Sequence, residues 1–454
     1  MNSAPTVGRR PRALLLAATL ALLVIGAWAA VRGLEAGGVL GDRDDGRTVL
    51  LWAPVALLLI LQSVLYACER PHRADAAGQR ALDELRIAVL VPVYNEDPAY
   101  LRAALTALAA QSRRPDAVHL VDDGSDDGYP AVEQWWTRHA AEAGIRTTWQ
   151  RTPNQGKRHA QVTALREADD ADIIVTVDSD ACLAADALGE VLQPFADPRV
   201  QGSAGLVVAA NHRATLLTRV TDLYFVANQL VDRSALSPLG AVMVAPGSLA
   251  AYRAPVLRDN LAAYLGETFM GRPVHFSDDS LLTLFALLRG RVVQQPSAVV
   301  LTAMPERTGH HLRQYLRWMR GSTIRSLWRA RHLPLTHPAY VAQLLRWFLQ
   351  LVCTGALCWM AVLHLRHDIG FSPWLATVPL LIGYAQALRY LTVRRSDETL
   401  AHQTVTWLLT PLALLWAWTV LRAVRWYATL TCGRTRWGTR AGGPEVVLTA
   451  PVTA

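Results

Sequence analysis

The stretch at 172–182, Asp-Ile-Ile-Val-Thr-Val-Asp-Ser-Asp-Ala-Cys, admits few folds. Residues 173–177 are mostly β-branched and apolar, which marks a strand buried on both faces of an α/β sheet. The strand ends on two acids, Asp178 and Asp180, with Ser179 between them. Positions i and i+2 of extended backbone point the same way, so both carboxylates can face one crevice at the strand's carboxyl end. Carboxylates placed there suit a divalent cation held against a diphosphate, because hard cations take carboxylate and phosphate oxygens. Asp and Ser are also common turn formers, so the same residues fit a plain surface turn.

Neighbouring segments repeat the arrangement of strand, polar end and helix. Residues 86–92 predict a strand followed by Tyr94-Asn95-Glu96-Asp97, and residues 98–111 a helix with Leu101, Leu105 and Leu108 on one face. Residues 117–121 predict a second strand, ending on Asp122-Asp123-Gly124-Ser125. Residues 147–150 predict a third, followed by Asn154-Gln155-Gly156-Lys157 opening a helix. This alternation implies parallel pairing and right-handed crossovers, which gather Glu96, Asp122, Asp123, Lys157, Asp178 and Asp180 at one sheet edge. The chain has no Gly-rich dinucleotide fingerprint and no P-loop, since Gly156-Lys157 lacks the upstream Gly and the following Ser or Thr. A nucleotide at that edge falls to acids, a metal and a lysine.

The rest of the chain is too apolar for an ordinary soluble enzyme: 52% of its 454 residues are hydrophobic. Residues 13–31 and 49–67 are each 19 residues without a charge, long enough to cross a bilayer. Arg9, Arg10 and Arg12 precede the first, and Arg70 and Arg73 follow the second. The positive-inside rule then expects the amino terminus and the α/β region in the cytoplasm. Segments 347–363 and 373–388 predict two further spans. Segment 403–421, interrupted by Pro411, predicts either a broken hairpin or a span preceded by an interfacial piece. The formal charge of +8 does not point to nucleic acid. Eight arginines lie from Arg307 to Arg346 and five from Arg422 to Arg440, beside apolar segments, where basic clusters meet anionic lipid. The five cysteines have no metal or disulfide spacing. The expected organisation is spans at 1–68, a cytosolic domain at 69–305, interfacial helices at 306–340 and a channel region at 341–454.

The motifs Val91-Pro92-Val93-Tyr94-Asn95-Glu96, Asp122-Asp123-Gly124-Ser125, Asn154-Gln155-Gly156-Lys157 and Asp178-Ser179-Asp180, in that order, resemble the family 2 glycosyltransferases. The resemblance implies a GT-A type domain inserted between transmembrane helices. It implies Tyr94, Glu96 and Asp178 in the substrate site, Asp122 or Asp123 on the uridine, and Lys157 near it. Asp180 would ligate Mg²⁺ or Mn²⁺. Downstream, Phe276-Ser277-Asp278-Asp279 precedes a predicted helix at 281–288. Asp279 looks like the family's base, which takes the proton of the attacking hydroxyl, with Asp278 able to cap the helix.

Residues 311–333 predict a basic amphipathic helix with Leu312, Tyr315, Leu316, Met319 and Ile324 on its apolar side. Gln314, Arg317 and Trp318 stand at i, i+3 and i+4 and share a face. This Gln-x-x-Arg-Trp pattern is similar to that of processive synthases of cellulose, chitin and hyaluronan. There Trp318 would stack on the acceptor sugar and Arg317 would steady the departing diphosphate. With Trp437-Gly438-Thr439-Arg440, the chain looks most like the single-chain hyaluronan synthases. It departs from them at Ala245-Pro246-Gly247, where Ser-Gly-Pro or Cys-Gly-Pro is usual, at Ser277 for Gly, and at Ser280 for Arg. The resemblance therefore implies a membrane enzyme that builds a polysaccharide from UDP-sugars and passes it through its own helices. A homopolymer synthase and a non-processive transferase stand as alternatives, and the sequence assigns no oligomeric state.

Overall fold

The computed structural model describes residues 7–9, 13–36, 57–58, 60–367 and 373–435. Trp437 and the first part of segment 49–67 lie outside these residues.

Eight strands form the central sheet: β1 (Ile87–Val93), β2 (Ala117–Asp122), β3 (Arg146–Arg151), β4 (Ile173–Thr176), β5 (Cys182–Leu183), β6 (Val200–Ala209), β7 (Ala250–Arg253) and β8 (Arg291–Thr302). Their order is β3-β2-β1-β4-β7-β6-β8-β5. The four strands expected from the sequence, β1 to β4, pair in parallel. Every residue of β1, β2 and β4 is buried, as their largely apolar runs require. The other half departs from the all-parallel expectation. β7 runs antiparallel between β4 and β6, so the sheet is mixed. Ala-Ala-Tyr-Arg is too short and too poor in β-branched residues to be read as a strand, and the two strands flanking it hold it there.

One hydrophobic cluster lies on the sheet face covered by the helices Pro98–Ala109 and Pro130–Glu142. A second fills the face under the helices Lys157–Arg166 and Asp278–Arg289. The helix Thr308–His332 then runs along the domain and begins its helical cover. Its buried face matches the expected apolar stripe only in part. Tyr315 and Ile324 are buried as expected and Leu312, Leu316 and Met319 are half-buried, whereas the polar Thr323, Arg325 and Arg329 are buried with them, because this face packs on a polar loop of the domain.

Long helices occupy Ala13–Ala36, Pro338–His367 and Pro373–Ala387. Among the described residues no single helix is long and apolar enough to cross a membrane; Leu400–Leu408 with Thr410–Leu430, bent by 45°, passes that test as a pair. The bend sits at Leu409, just before Pro411, so segment 403–421 is one bent run rather than a tight hairpin. The amino-terminal elements meet a late segment of the chain. Val7–Arg9 pairs antiparallel with Val393–Arg395, and the Ala13–Ala36 helix packs on Pro373–Ala387, with Thr19 Oγ1 donating to the Ala385 carbonyl at 3.5 Å.

Candidate active site

The carboxyl ends of β1, β2 and β4 deliver the predicted acids to one edge, each held by its own loop. After β1, Asn95 adopts a left-handed φ of 44° and its amide donates to Ser125 Oγ at 2.9 Å, tying the first loop to the second. Glu96 is buried and accepts from Ser179 Oγ at 2.8 Å, so it reaches β4's loop as well. Tyr94, half-buried, stands at the end of β1.

At the end of β2, Asp122 accepts from the Ser125 amide at 2.9 Å and faces Arg151 at 3.4 Å. Asp123 accepts from the amides of Gln155 and Gly156 at 2.9 and 2.8 Å. Burial raises the Asp123 carboxyl above its ordinary value, and those two amides oppose the shift. Gly124 is required here: at φ +75°, a Cβ would lie 2.7 Å from the Asn154 nitrogen. The Asp122–Ser125 and Asn154–Lys157 motifs thus form one bonded unit.

Extended backbone stops at Thr176, and Asp178–Ala181 forms a turn closed by the Ala181 amide on the Asp178 carbonyl at 3.0 Å. The i, i+2 rule for strands therefore does not hold for the two acids, and they bond to different neighbours. Asp178 accepts from Lys157 Nζ at 2.6 Å and from Ser248 Oγ at 3.1 Å. Asp180 accepts from Thr302 Oγ1, at the end of β8, at 3.1 Å.

Lys157 also pairs with Asp278 at 3.1 Å, which brings the 276–280 loop to the same edge. Gly247 lies directly beneath: a Cβ there would sit 3.0 Å from Lys157 Nζ and 3.3 Å from both Asp178 oxygens. Burial alone would lower the Lys157 ammonium, but Asp178 and Asp278 more than reverse that and hold it well above its ordinary value. The two acids of the loop are driven apart. Burial would raise Asp278, yet Lys157, then Arg158, hold its carboxyl below the usual range. Burial, then the Asp278 charge, push Asp279 up to about 6, against the pull of Lys157. Two adjacent carboxyls with opposed proton affinities are the arrangement acid–base chemistry uses. Asp278 does not cap its helix as expected. Ser277 holds the cap position without a side-chain cap bond, and the Asp278 carboxylate turns to the lysine instead.

Gln314, Arg317 and Trp318 lie on Thr308–His332, the helix packed behind this loop. Trp318 stacks on Phe225 at 5.6 Å, and Gln314 Oε1 is buried without a hydrogen-bond partner among the described residues. Trp437 is outside the described residues, so its place in the site is not part of this geometry.

The sequence reading missed a second buried network. Glu267 receives Arg158 at 2.7 Å, Arg325 at 2.7 and 3.2 Å, and Trp328 Nε1 at 2.9 Å. Arg158 also donates to the Phe276 and Tyr264 carbonyls at 2.8 and 3.0 Å. The available signal was a lone acid inside an apolar segment ten residues before Ser277, which needs a buried cation.

Among the described residues no group of three or more His, Cys, Asp or Glu side chains is arranged to hold a metal ion alone. Asp178 is committed to Lys157 and Ser248. Asp180, on the turn after β4, accepts from Thr302 Oγ1 and supplies one carboxylate at the same sheet edge. That fits Mg²⁺ or Mn²⁺, which commonly take one or two carboxylates and complete their shell with phosphate oxygens and water.

Residues 85–321 match the family described as Glycosyltransferase like family 2. The chain is 30% identical over 362 residues to the hyaluronan synthase of Streptococcus pyogenes, covering 79% of this chain and 84% of that one. It is also 30% identical over 424 residues to an N-acetylglucosaminyltransferase of Rhizobium meliloti, covering 89% and 93%. A mannosyltransferase from Pyrobaculum calidifontis, solved with GDP-Man and Mn²⁺, shares the fold at a TM-score of 0.50 and 24% identity, over 92% of this chain and 98% of that one. With its motifs, mixed α/β sheet and these relatives in agreement, the chain is a glycosyltransferase and belongs to the hyaluronan-synthase-like members of family 2.

Proposed function

We propose that the chain is a processive, inverting β-glycosyltransferase that polymerises UDP-sugars and exports the polymer through its own helices. The domain divisions expected from the sequence stand with this reading, with the catalytic domain on the cytoplasmic side of the plasma membrane. The observation that carries it is a cavity beside the helix that bears Gln314, Arg317 and Trp318, lined in part by Tyr315 of that helix. Trp318 stacks on Phe225, and the neighbouring Tyr224 lines a cavity of about 230 Å³ together with Asn228, Tyr315, Gln350, Trp418 and Arg422. Such a lining of aromatic and hydrogen-bonding groups suits a sugar chain, which is apolar on its ring faces and polar at its edges. The bent helix pair ending in Leu430 supplies part of that wall.

In the reaction, the acceptor hydroxyl faces Asp279, which takes its proton as the oxygen attacks the anomeric carbon from the side opposite the diphosphate. The new carbon–oxygen bond forms, the bond to the diphosphate breaks, and UDP leaves with the electron pair. Asp122 and Asp123 hold the uridine side, Tyr94 and Glu96 line the donor pocket, and Lys157 bonds Asp178 and pairs with Asp278 beside the diphosphate. A divalent cation on Asp180, when bound, offsets charge on the leaving group. Arg317 pairs with phosphate oxygens through its planar fork, Gln314 offers its amide, and Trp318 and Trp437 stack on the chain. The names of the relatives favour UDP-GlcNAc as one donor, and hyaluronan-like product adds UDP-glucuronate as the second.

Incubating the full chain in nanodiscs with Mn²⁺ and labelled donors, singly and together, tests this. High-molecular-weight product only with both donors, degraded by hyaluronidase, is expected. Polymer from UDP-GlcNAc alone makes the enzyme a homopolymer synthase, and UDP release without polymer makes it non-processive.

A further inference from the structure

Two of the departures from the family pattern, Ser277 and Ser280, flank the acid pair, and both face one helix. Ser277 is a non-glycine residue at a left-handed φ of 57°. Opposite it stands Gly321, so close that a Cβ there would fall 1.7 Å from Ser277 Oγ and 2.7 Å from its Cβ. One turn further along the same helix, at i+4, Arg325 is fully buried and donates from Nε to Ser280 Oγ at 3.2 Å. We propose that the helix answers both departures, Gly321 making room for Ser277 and Arg325 supplying from across the interface the guanidinium that position 280 lacks. Arg325 is then a positioning residue for Asp279.

The connections run in sequence. The Ser280 amide donates to Asp279 Oδ1 at 2.7 Å, so the position of Ser280 orients the base. Ser280 Oγ donates to the Ser277 carbonyl at 3.1 Å, which closes the loop on itself. Arg325 fixes that hydroxyl from the other side and extends a second nitrogen to the Ser277 carbonyl at 3.5 Å. Through Nη1 and that same Nη2 it is also bidentate to Glu267, at 2.7 and 3.2 Å. Arg158 grips the same glutamate and the Phe276 carbonyl, so the loop is held from the domain side and from the helix side at once. Only a guanidinium can make these bonds together; a lysine offers one point charge and no fork. Glu267 carries one negative charge against two arginines, which leaves one buried positive charge near Asp278 and Asp279. On this account Ser277 and Ser280 concern how the acids are held, and they carry no information about which sugar is bound. The role assigned to Arg325 rests on Asp279 being the base.

Two double-mutant cycles on the full-length protein in detergent test it, with UDP release and UDP affinity as separate readouts. Arg325→Ser should lower kcat by about tenfold or more while UDP binding is kept, since no Arg325 contact lies on the nucleotide side. Ser280→Arg alone should also lose activity, because a second guanidinium is forced against the first. The pair Arg325→Ser with Ser280→Arg should recover most of the loss. In the other cycle, Gly321→Ala should lose activity, and adding Ser277→Gly should return it to the level of Ser277→Gly alone. Additive losses in both cycles, or equal loss of UDP binding, overturn the proposal. If Arg325→Ser does not fold, Arg325→Lys keeps the charge and should still lower kcat, and the Gly321 cycle remains. Asp279→Asn, measured alongside, separates the two readings. Normal turnover there removes the base, whereas recovery within the cycles depends only on the contacts.

Discussion

The raised proton affinity of Asp279 has a measurable consequence for rate. A base must be ionised to act, so turnover follows the ionised fraction of Asp279. Its carboxyl lies at about 6 instead of the ordinary 3.8, through burial and then the Asp278 charge. At that value about nine-tenths is ionised at pH 7 and about one-tenth at pH 5, so kcat should fall about tenfold between them. An ordinary carboxyl would lose only a few per cent over the same interval. The neighbours predict how the limb moves. Asp278→Asn removes a repelling charge and should shift it to lower pH, whereas Lys157→Met removes an attracting one and should shift it higher. Each pairwise shift should be on the order of one pH unit, about 1.4 kcal/mol. Initial rates of UDP release at saturating donor, from about pH 5 to 8, read the limb directly. A flat profile across that range would remove Asp279 from proton transfer. Both variants moving the limb the same way would refute the electrostatic account of the site.

Asp279→Asn should cost about 10²–10⁴-fold in turnover with UDP binding nearly intact, measured by calorimetry. The same variant should be more stable. A carboxyl whose folded value exceeds its unfolded one costs stability as pH rises from about 4 through about 6, so at neutral pH the substitution should return up to roughly 3 kcal/mol, seen as a higher Tm. Asp180→Asn should weaken UDP binding with Mn²⁺ present and much less without it; equal weakening would place the acid on the donor itself.

Much of the nucleotide-binding half was legible because β1 and β4 are continuous apolar runs, β2 nearly so, and each strand ends on chemistry. β1 to β4 lie within a residue or so of where periodicity placed them. The antiparallel β7 was not legible, because its four residues become a strand only through their neighbours. Asp178 and Asp180 were readable as a pair but not as partners of different groups, since that depends on a turn beginning at Asp178. Lys157 was found by its motif, yet its position between Asp178 and Asp278 joins residues 121 apart and has no local signature. Arg325 stayed hidden for a related reason. On a basic helix read as membrane-facing, one more arginine looks like a lipid contact, and only the packing shows that it is buried on Glu267.

The pairing of the first helix with a late segment of the chain sets an order of assembly. Thr19 meets Ala385 across 366 residues, so the helix that leaves the ribosome early waits for its neighbour until most of the protein has been made. At ordinary rates of synthesis that wait is roughly 20–70 s. During it, the parallel strands β1 to β4 and the loops that end them can pair, whereas the core face that takes Tyr390, Val393 and Ala413, and the Ala209 carbonyl that accepts from Arg395, wait for the later segments. A message that breaks off before residue 373 would therefore yield a catalytic domain with part of its core uncovered beside an unpaired first helix, the kind of surface that chaperones and proteases inspect.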